Sequence, residues 1–82
     1  MASAPFEPVS VWETLHRRRL LHDVEATSRW LLQRWPRHVE KPKSYRRAVQ
    51  TCLDAMNGRA SAAEVRAAVI AALDDAGLLD SA

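Results

Sequence analysis

Val9–Thr14 reads V-S-V-W-E-T, with Val9 and Val11 alternating with Ser10 in a run dominated by β-branched and aromatic residues. That alternation predicts a strand, with Trp12 on the face opposite Val9 and Val11. Leu15–Arg18 supplies a polar turn without the Asn-Gly or Asp-Gly of a tight hairpin, and Arg19–His22 predicts a second strand. After Asp23 the period changes. Asp23 suits an N-cap, Glu25 sits where a helix N-terminus favours an anion, and the apolar spacing carries a helix from Val24 to about Trp35. Pro36 stops it, because the residue before a proline is pushed out of α conformation. Val24, Leu31 and Trp35 share one face, Leu32 widens it, and Trp30 lies on another.

A basic loop, Arg37–Lys43, precedes a second helix for which Ser44 is a candidate cap. Its apolar residues Tyr45, Ala48, Val49, Cys52, Leu53 and Met56 span an arc of about 140° at ~100° per residue. Gly58 suits the left-handed position after it. Ser61 and Glu64 form a capping box for a third helix, with Val65, Ala68, Val69, Ala72, Leu73 and Ala76 on one stripe and Gly77 at its end. Ile70 falls off that stripe, beside Ala67. The order ββααα predicts an α+β domain: a two-stranded hairpin under three helices, with Leu78-Leu79 a candidate short third strand. Trp35, Leu53 and Leu73 are the expected core anchors of their helices.

A chain of 82 residues builds one domain, here with an ordered core from about residue 6 to 79 and loose ends at Met1–Pro5 and Asp80–Ala82. No apolar run approaches the ~20 residues that cross a bilayer. The first ten residues lack a signal peptide's basic start and apolar stretch, and Cys52 is the only cysteine, so a cytoplasmic protein without disulfides is expected. The net charge of +2 hides an uneven distribution. Arg17–Arg47 holds ten basic and three acidic residues, while the rest of the chain holds two and seven.

Catalytic and metal-binding signatures are missing. Two glycines, both just past helix ends, cannot build a phosphate-binding loop. His16 and His22 stand at a spacing that two zinc ligands could use, but no cysteine pair completes the set. Cys52 lies on the apolar stripe of its helix and reads as a small hydrophobe. The expectation is a protein that is not an enzyme and carries no cofactor or metal.

Two binding surfaces suggest themselves. Trp12 and Ile70, both off their elements' core faces, point to a protein partner or a homodimer. The alternative is a nucleic-acid surface on the basic stretch, where Arg29, Arg34 and Arg37 surround Trp30 as the one ring expected to be exposed. A small-ligand binder or enzyme is the weaker third reading.

The string also resembles the domain-of-unknown-function family numbered 982, short proteins of rhizobia and related alphaproteobacteria. The matching pieces are Phe6-x-Pro8-Val9-x-Val11, Glu25-Ala26, Leu31-Leu32, Trp35-Pro36, Tyr45-x-x-Ala48, Cys52, Ala55-Met56 with Gly58, Val65-Arg66-x-Ala68-Val69-Ile70-x-Ala72 and Ala76-Gly77. They run from about Phe6 to Leu78. The resemblance implies a bacterial α+β domain in which Trp35, Cys52 and Ala68 are packing positions, and it implies no activity.

Overall fold

Pro5–Thr14 forms β1 and Arg17–Asp23 forms β2, an antiparallel pair joined at Leu15 and His16. The computed structural model describes residues 4–80. Both strands are longer than the alternation predicts. The turn has no left-handed residue. Instead the pairing slips by one between Trp12↔Arg18 and Thr14↔Arg17, so Glu13 is the extra residue of a bulge that relieves the turn.

Helix α1 covers Val24–Gln33, α2 Lys43–Met56 and α3 Ala62–Asp75. Asp23 caps α1 by accepting from the Ala26 amide at 2.7 Å, and Ser61 and Glu64 exchange both bonds of the capping box. Helix α1 ends at Gln33, two residues before Trp35, and its C-cap Arg34 donates its amide to the Trp30 carbonyl. Ser44 does not cap α2. Pro42 holds the cap position, and the Ser44 hydroxyl donates to Asp75 Oδ2 at 2.6 Å, tying the start of α2 to the end of α3. Gly58 and Gly77 have φ of 76° and 72°, the left-handed turn-off that a Cβ would oppose.

The strand β1 is paired on both sides. The Trp12 amide donates to the Leu78 carbonyl at 2.8 Å and the Asp80 amide to the Ser10 carbonyl at 3.0 Å, around a bridge between Val11 and Leu79. Leu78 and Leu79 thus add a rudimentary third strand. The expectation of loose ends falls partly on residues 1–3 and 81–82, outside the described residues. Pro5 and Asp80, also assigned to those ends, are held in the sheet.

Val9, Val11 and Leu21 turn one face of the sheet into the core, against α1 and α3. Helix α2 packs on α1 and α3 instead of the sheet, which makes it an outer layer. This corrects the expected core. Leu73 is 0% exposed, but Leu53 is 41% and Met56 45% exposed, and Trp35 is only half-buried. The seam between α2 and α3 is built from small residues, with Ala48 and Cys52 fully buried against a face containing Val65, Val69 and Ala72. Two neighbours cover less than the ~140° apolar arc of α2, so one edge of it stays in water.

Candidate functional site

The uncovered edge of α2 borders a cleft of about 600 Å³ between the end of α1 and the start of α2. Leu32, Pro42, Tyr45 and Val49 supply its apolar lining, and the only charged groups on it are Lys41, Lys43 and Arg46. Leu53 and Met56 continue the apolar row one and two turns along α2. Among the described residues none of the three cations forms an ion pair. The first turn of α2 holds no acid, so Lys43 stands against the helix dipole, and the Asp75 carboxylate on Ser44 offsets it from α3.

Tyr45 anchors the cleft wall. Its hydroxyl donates to the Leu31 carbonyl at 2.7 Å, and burial raises its pKa above the ordinary phenol value. Its ring meets Trp35 edge-on at 4.9 Å, and Trp35 meets Trp30 edge-on at 5.8 Å. All three polar tips are used inside the fold, for Trp35 Nε1 donates to the Val39 carbonyl at 2.9 Å and Trp30 Nε1 to Glu13 at 3.1 Å. The aromatics that interleave with arginines in the sequence are therefore an internal ladder.

That arrangement corrects the reading of Trp30 as an exposed ring, since it is 2% exposed. Arg29, Trp30 and Arg34 do come together, with Arg19, around a smaller hollow of about 180 Å³. Two of its three guanidiniums are already neutralised, Arg19 by Glu13 at 2.6 Å and Arg29 by Glu25 at 3.0 Å. Arg37 is exposed in the loop and lines neither hollow.

Trp12 is half-buried, with the Arg18 guanidinium 5.5 Å from its ring centre. It borders a third hollow of about 370 Å³ beside Leu15, Pro36, His38 and Leu78. Ile70, although off the α3 stripe, is half-buried and packs on the core cluster. Ile70 lines none of these three hollows among the described residues, whereas Trp12 lines one.

His16 sits in the turn and His22 near the far end of β2, about 20 Å away along an extended strand. Among the described residues no three His, Cys, Asp or Glu side chains gather. Burial pushes the Cys52 thiol up to about 11, far from a reactive thiolate. No described helix is long and apolar enough to cross a membrane.

Leu32, Val49 and the three cations of the α1–α2 cleft escape the residue-by-residue reading as a site. The available signal was the width of the α2 arc, broader than the face that small residues can bury. No curated protein and no solved structure matches the chain. A family model does match, over residues 7–79, nearly the whole described fold. The chain belongs to the family described as "Protein of unknown function (DUF982)".

Proposed function

We propose that this domain is a non-catalytic binding module that docks on a protein partner through the α1–α2 cleft and the apolar row beside it. The observation that carries the reading is the exposure of three apolar side chains: Leu32, 59% exposed, lines the cleft with Lys41, Lys43 and Arg46, and Leu53 and Met56, 41% and 45% exposed, extend its α2 wall. Apolar side chains left uncovered beside a polar rim are the usual composition of a protein contact. A nucleic-acid surface is the competing reading, favoured by the excess of positive charge in Arg17–Arg47. It loses ground because Trp30 is buried and Trp35 faces the ladder, so neither tryptophan within that stretch offers an open ring for bases to stack on.

The test is affinity capture from nuclease-treated extract of cells that express the protein, comparing the parent with Leu53→Glu. A protein retained by the parent and lost with the variant, at an unchanged melting temperature, supports docking. Retention that disappears on nuclease treatment, or that the variant keeps in full, overturns it. Sedimentation of the purified chain over a wide concentration range separates a homodimer from a different partner.

A further inference from the structure

We propose that the α1–α2 cleft accepts an acidic, aliphatic peptide segment of a partner protein, with carboxylates at Lys41, Lys43 and Arg46 and an aliphatic side chain against Leu32 and Val49. The inference rests on the docking reading above and adds the chemistry of the occupant.

Charge complementarity argues for it. The cleft carries three cations and no acid on its lining, and none of the three is neutralised by a described residue. The competing Arg19–Arg29–Arg34 hollow has two of its three charges paired and less than a third of the volume. Unpaired cations around an apolar lining suit a ligand that is anionic and aliphatic at once. A nucleic acid meets only half of that description. Tyr45 is the one ring present, its face lies 5.4 Å from Lys41 Nζ, and Trp35 abuts it on another side. Both neighbours compete with a base for that single ring.

A second copy of the chain is a poorer occupant than a separate protein. Seven of its ten acids already accept hydrogen bonds within the fold: Glu13, Asp23 and Glu25 around the hairpin and α1, Asp54, Glu64 and Asp75 on the later helices, and Asp80 at the sheet. Leu78, the leucine that follows the Asp74-Asp75 pair, is buried. Docking such a segment in the cleft would mean undoing the fold that holds it.

The experiment follows amide resonances of the full-length, isotope-labelled chain during three titrations. The probes are a short peptide alternating glutamate with leucine, its glutamine-for-glutamate counterpart, and oligothymidylate. Expected is saturable movement of Leu32, Tyr45 and Val49 with the glutamate peptide at up to millimolar concentration. The Lys41→Gln/Lys43→Gln/Arg46→Gln triple variant should bind it about tenfold more weakly, the combined effect of three exposed ion pairs, with its melt unchanged. Leu32→Gln, at an exposed position, tests the apolar contact separately and should also weaken binding.

Equal binding of the two peptides overturns the acidic chemistry while leaving docking on protein intact. Movement with oligothymidylate and neither peptide overturns both readings. Stillness of the cleft with every probe overturns the peptide proposal alone, since capture from extract tests docking independently. Binding that appears only as the chain dimerises assigns the cleft to a second copy and overturns the separate partner.

Discussion

The indole Nε1 of Trp30 donates to Glu13 Oε1 at 3.1 Å, which places a carboxylate from the strand bulge beside the innermost ring of the aromatic ladder. The same oxygen accepts from Arg19 Nε at 2.6 Å. Burial alone would raise the pKa of Glu13, but the Arg19 hydrogen bond outweighs it, and Trp30 and the Arg19 and Arg34 charges add to it. The net shift is downward from the ordinary 4.5.

A lowered native pKa means that the unfolded chain binds a proton first as the medium turns acid. The stabilisation from Glu13 is therefore present above pH ~4.5 and is lost as pH falls through the lower native value. Glu13→Gln should flatten the acid limb of a stability–pH curve measured by urea unfolding. At neutral pH the same change should cost about 1.5–3 kcal/mol, the range for a hydrogen bond to a charged group. An acid limb identical to the parent's would rule out Glu13 as its source.

Leucines at equivalent places on neighbouring helices should behave differently. Leu73→Ala empties a fully buried site and should cost about 2–5 kcal/mol, a large part of what an ~80-residue domain has. Leu53→Ala removes a side chain that is 41% exposed and should cost about 1 kcal/mol or less. Parallel thermal melts check the pair, and equal losses would place Leu53 in the core after all.

Cys52 should be nearly inert in the folded protein. Its thiol is fully buried and pushed up to about 11, against 9.0 for a free cysteine, so it stays protonated at neutral pH. Alkylation by iodoacetamide at pH 8 should be slow until denaturant is added. The shift also means that Cys52 favours folding below pH 9.0, a contribution that fades as pH rises towards 11. Rapid labelling under native conditions would contradict the burial.

Thr27 carries a small defect. It is 0% exposed on α1, and its hydroxyl oxygen has no hydrogen-bond partner among the described residues. Thr27→Val keeps the shape and removes the unsatisfied group, so it should stabilise by about 1 kcal/mol. A loss of stability on chemical unfolding would reveal a partner for the hydroxyl, such as a bound water.

Features governed by neighbouring residues were legible before the structure. Asp23, the Ser61–Glu64 box, Gly58 and Gly77 act through backbone groups a few positions away, so their roles followed from spacing. The ββααα order followed from the change of period at Asp23. Misreadings came where a distant element decides. Leu53 and Met56 share the apolar arc of α2, yet they are exposed because α2 meets only α1 and α3. Trp30 lies off the main α1 face and is buried because Glu13 reaches it from the hairpin. Ser44 has the chemistry of a cap, but Asp75 holds its hydroxyl from 31 positions away. The cleft combines two helix ends and a loop, and no single periodicity describes it.

The double pairing of β1 also sets an order in time. β2 lies next in sequence and can close at once, whereas the Ser10–Asp80 contact spans 70 positions. During synthesis at ~5–20 residues per second, β1 waits about 4–14 seconds before its second partner is made. Through that interval its outer backbone groups are an open template for other chains. Aggregation of a nascent or truncated chain should therefore depend on residues 78–80 more strongly than their small share of the core would suggest.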